Sequence, residues 1–219
     1  MAKGTLLGNV QNAPSGLKGF DADTVITAAV AAQFKAQGYT FCVRYLSIES
    51  AQSNDLTPAE ANIILDSGLA LIPVQHVRRA GWSPSGLMGT AYGTYAAENA
   101  AIVGFPERVS VWCDLEGIEQ GTSAADVIDY CNNWYDAVFS QGYVPGLYVG
   151  AGCILNSAQL YLNLKFQHYW KSESNVPDVD KRGFQLVQHF HGQPVNGIGI
   201  DIDITQTDNL GGQVAWLFR

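Results

Sequence analysis

The chain has 219 residues and a formal net charge of −8 at pH 7, with 47% hydrophobic and 15% charged residues. This length and this balance indicate one globular domain with a substantial core. The acidic balance, with no basic run longer than Arg78-Arg79, argues against a nucleic-acid-binding surface. No run of 18 uninterrupted apolar residues occurs, so the sequence predicts no membrane insertion.

Residues 1–17 carry Gly, Asn, Pro and Ser, so we expect a loose N-terminal lead-in followed by a single domain over residues 18–219. The segment after Lys3 is too short and too polar for a signal peptide. We therefore expect synthesis in the cytoplasm, with any release or export through a route that uses no such signal. Lysis-linked release or a dedicated injection system would provide that route, and a delivery or assembly partner is one option for it.

Four cysteines stand at positions 42, 113, 131 and 153, and no two of them form a Cys-x-x-Cys pair. A zinc knuckle or a redox motif is therefore not indicated. Cysteine packs as a small hydrophobic residue, and these positions lie in apolar patterns, which favours buried free thiols.

Strand and helix patterns alternate along most of the chain. In chain order they predict a strand at 19–22, a helix to 38, a strand at 40–46, a helix at 57–68, a strand at 69–76, a loop at 77–88, a helix at 89–103, a strand at 109–116, a helix from 122 or 123 to 142, a strand at 143–149, a helix at 156–165, and strands at 168–171, 184–189 and 197–204.

Capping signals support two of the predicted helix starts. Asp23 or Thr24 is the expected N-cap of the first helix. Thr57-Pro58-Ala59-Glu60 has the pattern of a capping box with proline at the first helical position, and it is the clearest helix start in the chain.

Alternating strands and helices require parallel strands joined by helical crossovers. An eight-stranded barrel and an open doubly wound sheet both fit this pattern. Eight strand signals favour the barrel, and Asp21-Ala22-Asp23 stands where a nucleotide-binding sheet would carry Gly-x-Gly-x-x-Gly. We therefore predict a single α/β domain, a (β/α)8-like TIM barrel whose last β/α units are irregular.

Two carboxylates end the apolar strand at 109–116. Strand side chains alternate between faces, so Asp114 and Glu116 point to the same side. In a TIM barrel the chemistry lies at the C-terminal strand ends. The pair alone is equally consistent with a solvated strand end. With Asp21, Asp201 and Asp203 at other predicted strand ends, a catalytic cluster becomes the better interpretation.

Further polar and aromatic residues at strand ends are candidate substrate-binding residues. A cluster of carboxylates with aromatic residues suits glycoside hydrolysis, in which one acid protonates the leaving oxygen and another group stabilises the cation at the sugar carbon. Crowded carboxylates raise at least one pKa and keep that proton available. The cluster could instead hold a divalent cation, but no known metal loop is present, and we expect neither metal nor other cofactor. The candidate binding residues are Arg44, Gln75, Tyr148, Trp170 and Gln188.

Several motifs resemble those of family 25 glycoside hydrolases, the N-acetylmuramidase lysozymes. Gly19-Phe20-Asp21 resembles their Gly-x-Asp start, and Asp114-Leu115-Glu116 resembles their Asp-x-Glu motif. The similarity extends to Gly142-Tyr143-Val144-Pro145-Gly146-Leu147-Tyr148, to Trp170 and to the closing segment from Gly197 to Asp203.

Within that superfamily, the chain looks closer to a bacterial glycoside-hydrolase-like domain of unknown function. Residues 19–46, including Arg44-Tyr45-Leu46, and residues 57–74 carry this resemblance. The likeness covers about residues 17–209, and the order and spacing of the motifs are more specific than any one of them.

The resemblance implies a barrel with irregular last units and hydrolysis of the muramic acid–glucosamine linkage of peptidoglycan. It makes Glu116 the general acid and Asp114 the residue that orients or stabilises the reacting N-acetyl group or the cation. Asp21 and either Asp201 or Asp203 would line the floor, and Tyr148 would contact the substrate.

We therefore expect a glycoside hydrolase whose partner is peptidoglycan or a related N-acetylated glycan. The sequence departs from the lysozyme pattern at Gln75-His76, where an aromatic-rich strand end is expected. Two alternatives remain open: a non-catalytic glycan-binding barrel, and a secreted toxin or effector that uses the same cleft on another sugar.

Overall fold

The computed structural model describes residues 4–76 and 79–219, so residues 77 and 78 of the predicted loop at 77–88 lie outside the described residues. The helices are α1 (Ala28–Ala36), α2 (Pro58–Asp66), α3 (Gly86–Val103), α4 (Ala124–Phe139) and α5 (Ser157–Leu162). The strands are β1 (Asn9–Asn12), β2 (Lys18–Ala22), β3 (Phe41–Leu46), β4 (Ala70–Gln75), β5 (Ser110–Leu115), β6 (Val144–Val149), β7 (His168–Lys171), β8 (Leu186–Phe190), β9 (Asp201–Thr205) and β10 (Ala215–Phe218). Within the two described ranges, no helix combines the length and apolar character needed to cross a membrane.

Eight strands, β2 to β9, close into a barrel. Their order is β4-β3-β2-β9-β8-β7-β6-β5, and β5 returns to β4 where Val74 pairs with Trp112 and Gln75 with Cys113. Among the described residues, five helices connect the strands up to β7, and none lies between β7 and β9. The predicted TIM-like barrel with irregular last units is confirmed.

One strand of the barrel runs against the prediction of parallel strands. β9 is antiparallel to both of its neighbours, β2 and β8. The residues between β8 and β9 form no helix, and antiparallel neighbours need no helical crossover. The direction of β9 therefore follows from a connection too short for a β/α unit.

Side chains alternate between the inside of the barrel and the layer under the helices. All four cysteines are free and buried, as predicted, and Cys42 and Cys113 belong to the outer layer. The inner core includes Phe41, Val43, Ile72, Trp112, Trp170 and Trp216.

The two chain ends pair beneath the barrel. β1 is antiparallel to β10 over all four of its residues, and β10 contacts β4 where Leu217 pairs with Leu71. The Ala215 backbone N–H also donates to Ser110 Oγ at 3.0 Å, at the first residue of β5. Residues 9–12 thus form a hydrogen-bonded strand inside the segment that we expected to be a loose lead-in. Its partner β10 lies about 200 positions away, so local sequence carries little signal for the pair.

The first helix starts later than its capping pattern predicts. The N-cap of α1 is Thr27, whose side chain accepts from the Val30 backbone N–H at 3.3 Å, so the assignment to Asp23 or Thr24 is wrong. α3, by contrast, begins earlier than predicted, at Gly86 after the N-cap Ser85 rather than at residue 89.

The second helix keeps its predicted cap but not the complete capping box. Thr57 Oγ1 accepts from the Glu60 backbone N–H at 3.2 Å. The Glu60 carboxylate does not return to Thr57, because it accepts from Ile26 N at 2.8 Å and from Arg44 Nε at 2.7 Å. A buried ion pair therefore replaces the second half of the box and ties α2 to β3.

Close packing inside the barrel yields a stability prediction at Gly146. A Cβ atom on Gly146 would lie 2.5 Å from the ring of Trp112, which is fully buried and cannot move aside. We expect Gly146→Ala to destabilise the fold by about 1–3 kcal/mol, measured as a lower melting temperature by circular dichroism. Gly199→Ala is the matched control, since a Cβ there would meet nothing within 4 Å. Equal melting temperatures for the two variants would contradict this packing.

Candidate active site

A cavity of about 480 Å³ opens at the end of the barrel where the parallel strands finish. Four of the five predicted catalytic residues line it, and three of the five predicted binding residues do so as well. The lining residues are Asp21, Tyr45, Asp114, Glu116, Tyr148, Trp170, Ser172, Glu173, Ser174, Gln188, Phe190 and Asp201.

Asp114 and Glu116 lie side by side at the end of β5. Asp114 is only 8% exposed, and its Oδ1 has no hydrogen-bond partner among the described residues. Burial raises the pKa of Asp114 well above its ordinary value, with further contributions from the charges of Glu116 and Asp21. Burial also raises the pKa of Glu116. The pair therefore retains a proton at a pH where exposed carboxyl groups have lost theirs.

Two glycines determine the surroundings of Glu116: one leaves room for its side chain, and the other forms the turn that follows it. A Cβ atom on Gly150, just after β6, would overlap the Glu116 side chain. Gly117 has φ +65°, a left-handed conformation that favours glycine, and its N–H donates to Ala151 O at 2.7 Å. This turn fixes the backbone directly after Glu116.

A hydrogen-bond chain holds Asp21 across the mouth. Tyr45 Oη donates to Asp21 Oδ1 at 3.2 Å, and Gln188 Nε2 donates to Asp21 Oδ2 at 2.9 Å. Tyr148 Oη in turn donates to Gln188 Oε1 at 2.8 Å. Burial raises the pKa of Asp21 to about 6, although the Gln188 hydrogen bond opposes the shift. Asp21 is thus held in place by two donors, and it is partly protonated near pH 6.

The two aspartates of β9 occupy different depths. Because β9 is antiparallel, its first residue, Asp201, lies at the mouth, whereas the sequence placed this pair at the C-terminal end of a parallel strand. Asp201 Oδ1 accepts from the His191 backbone N–H at 3.2 Å. Asp203 lies deeper, opposite Gly19 and Gln188, is fully buried, and has no hydrogen-bond partner on either oxygen among the described residues. Burial and the charge of Asp21 raise the pKa of Asp203 well above its ordinary value.

Arg44, a predicted binding residue, lies outside the cavity. It is fully buried in an ion pair with Glu60 and donates from Nη1 to Ala22 O at 2.5 Å. It stands between Val43 and Tyr45, which face the inside of the barrel. One step along a strand reverses the face, so Tyr45 reaches the cavity and Arg44 cannot.

Gln75 is excluded from the cavity for the same reason. It follows Val74, whose side chain belongs to the inner core. Its Nε2 donates to Tyr92 O at 2.8 Å, and its Oε1 accepts from Trp134 Nε1 at 2.8 Å. Gln75 therefore joins the barrel to helices α3 and α4 rather than to a ligand.

Five cavity residues were not among the predicted site residues. Strict alternation within the strand at 40–46 would have identified the first of them, Tyr45. Alternation would also have identified Phe190, which lies two residues after Gln188 at the end of β8. The other three follow β7, where periodicity carries no signal; they are Ser172, Glu173 and Ser174. Among residues 4–76 and 79–219, no group of three or more His, Cys, Asp or Glu side chains is arranged to hold a metal ion.

The protein-family model that describes the Rv2525c-like, glycoside hydrolase-like domain matches residues 32–207 of the chain. The chain belongs to this family. The resemblance to a glycoside-hydrolase-like domain related to family 25 is thereby confirmed. No curated protein matches the chain.

Solved structures share this fold at low sequence identity. The Tat-secreted protein Rv2525c of Mycobacterium tuberculosis, in complex with L-tartrate, has a TM-score of 0.67 and 19% identity over 88% of this chain and 96% of its own. A muramidase from Trichobolus zukalii has a TM-score of 0.63 and 15% identity over 87% and 93%. A family 25 glycosyl hydrolase from Bacillus anthracis has a TM-score of 0.60 and 13% identity over 92% and 94%. At such identities the likeness shows a common fold related to that of lysozymes.

The buried carboxyl group of Asp203 yields a prediction about pH. Because its pKa is raised in the folded protein, the unfolded chain loses that proton first, so this group destabilises the fold as pH rises above the ordinary carboxyl range. Asp203→Asn removes the ionisation. We expect the variant to melt a few degrees higher than the parent at about pH 8, since each 1 kcal/mol shifts the melting temperature of a chain of this length by about 2–4 °C.

The gain in melting temperature should shrink toward about pH 3, where this carboxyl group is mostly protonated in the unfolded chain as well as in the folded protein. Asp129→Asn, at an exposed position of α4, removes the same formal charge and serves as the control. A gain for Asp203→Asn that is independent of pH would contradict the assignment of a raised pKa.

Proposed function

We propose that the protein is a glycoside hydrolase that cleaves peptidoglycan or a related N-acetylated glycan, with Glu116 as the general acid. One observation carries this proposal: two carboxyl groups with raised pKa values stand together at the cavity, and one of them has a free oxygen. The glycoside-hydrolase-like family supports the reaction class.

The two carboxyl groups suit different steps of glycosidic cleavage. Glu116 is the more accessible of the pair, and its raised pKa keeps a proton available for the leaving oxygen. Asp114 lies deeper, and its unpartnered Oδ1 can orient an N-acetyl group. In its ionised form the same group can stabilise positive charge at the sugar carbon. Each acid thus has one role that matches its accessibility.

Aromatic side chains make the cavity suitable for sugar rings. Tyr148 and Trp170 meet edge to face, with ring centroids 4.6 Å apart, and Tyr45 adds a third ring to the lining. Proteins of the same fold include a muramidase and a bacterial lysozyme from Streptomyces coelicolor, with 15% identity to this chain. The activities named for these two proteins support an N-acetylated cell-wall glycan as the substrate class.

Removal of the proposed acid provides the direct test. We expect Glu116→Gln to reduce turnover of purified peptidoglycan by at least about 100-fold, the usual contribution of a general acid. New reducing ends and mass analysis of the products are the measurements. Glu119→Gln is the matched control, since Glu119 lies three residues further, is exposed and bonds to Ser83. Wild-type turnover in the Glu116→Gln variant would exclude Glu116 as the acid.

The same experiment separates the alternatives. Saturable binding of peptidoglycan without new reducing ends, in the unmodified protein, would support a non-catalytic glycan-binding barrel. Cleavage of another glycan, with peptidoglycan intact, would support the toxin or effector.

The raised pKa of Glu116 also predicts the pH profile of the reaction. A general acid acts only in its protonated form, so kcat/KM should fall as pH rises through the pKa of Glu116. Because burial raises that pKa, we expect this alkaline limb above the ordinary glutamate value of about 4.3. The measurement is kcat/KM on a soluble oligosaccharide across the acidic and neutral range. A rate that increases throughout this range would instead assign Glu116 as a base.

A further inference from the structure

A second cavity of about 430 Å³ adjoins the first at the same end of the barrel. The two share four lining residues, and the second extends away from the Asp114–Glu116 pair toward the loop between β8 and β9. The shared residues are Asp21, Tyr45, Phe190 and Asp201. Each volume lies in the range of about 300–1,000 Å³ that is typical of small-molecule sites.

Phe190 lies on the boundary between the two cavities, and the residue is 70% exposed. A single exposed aromatic residue carries no meaning by itself, but this one is held in position. Its backbone pairs with Asp201 at the end of β8, and its N–H donates to the Glu173 carboxylate. A Cβ atom on Gly192 would come within 3.2 Å of the ring, so this glycine leaves room for it.

The acidic side chains around both cavities restrict the charge that a ligand can carry. Asp23 lines the second cavity beside Asp21 and Asp201, and Glu173 lines the first. Neither Lys nor Arg is among the described residues that line either cavity. A sugar that carries a free carboxylate or phosphate would be repelled, whereas an uncharged N-acetylated sugar would not.

The unpartnered Asp114 oxygen of the first cavity, described above, bears on how far a ligand would extend. Oδ1 of Asp114 lacks a hydrogen-bond partner among the described residues, although Asp114 is only 8% exposed and lines the first cavity. Buried polar atoms are usually satisfied, so this oxygen is available to a bound group. A ligand that reaches it and also extends across Phe190 would occupy both cavities.

We propose that the two cavities form one glycan-binding cleft, in which Phe190 is a stacking platform between two subsites and the second cavity holds a further uncharged N-acetylhexosamine unit. The apolar face of a sugar ring would pack on the Phe190 ring, while Asp21 and Asp201 accept hydrogen bonds from its hydroxyl groups. This inference rests on the glycan class of the proposed function, but it does not require hydrolysis.

The test compares oligosaccharides of two lengths on the Glu116→Gln protein, which keeps them intact. Dissociation constants of chitobiose and chitotetraose are measured by titration calorimetry. We expect chitotetraose to bind more tightly, and Phe190→Ala in this background to reduce that advantage about fivefold to tenfold, as for loss of an aromatic contact. Phe190→Trp should retain the advantage. Phe139→Ala, at another exposed phenylalanine outside both cavities, should leave it unchanged.

The outcomes separate this inference from the proposed function. An unaltered advantage in Phe190→Ala overturns the second subsite, even if the unmodified protein hydrolyses peptidoglycan. A reduced advantage supports the subsite, even if the unmodified protein cleaves nothing and hydrolysis is refuted. Absence of binding of both oligosaccharides overturns the subsite together with the glycan class.

Discussion

The alternation of side chains around a closed barrel is the constraint on which this structure depends. Every second residue of each strand enters a space that it shares with seven other strands. Phe41, Ile72 and Trp112 fill the lower part of that space, and carboxyl groups occupy the upper part. A residue one position earlier or later in the strand faces the helices instead, as Arg44 does. Whether a residue reaches the candidate site therefore depends on its position in the strand alternation as much as on its residue type.

Crowding carboxyl groups into the barrel has an energetic cost that the surrounding structure offsets only in part. Asp21 receives hydrogen bonds from Tyr45 and Gln188, whereas Asp203 has none among the described residues. A buried carboxyl group without a donor favours its neutral form, since burial penalises charge. Such costs are typical of sites that hold a proton for chemistry. The large apolar core and the buried Arg44–Glu60 pair stabilise the scaffold around them.

The irregular end of the barrel shapes the cleft. A helical crossover between β8 and β9 would have made β9 parallel and moved Asp201 away from the mouth. The short connection instead reverses β9, brings Asp201 opposite Asp21, and leaves the chain around Phe190 and Gly192 at the rim. The part of the fold that departs from regular β/α repetition is thus the part that forms the second cavity, beyond the Asp114–Glu116 pair.

Sequence by itself determined the barrel class, most strand positions and the placement of Asp21, Asp114 and Glu116 at the cavity, because these depend on local periodicity and on residues at strand ends. It also identified Tyr148, Trp170 and Gln188, which do line the cavity. Only the tertiary structure decided the direction of β9, the depths of Asp201 and Asp203, and the pairing of β1 with β10. These features depend on which strands become neighbours and on the phase of each strand relative to the barrel axis. Both are settled by closure of the whole sheet, and no local pattern encodes them.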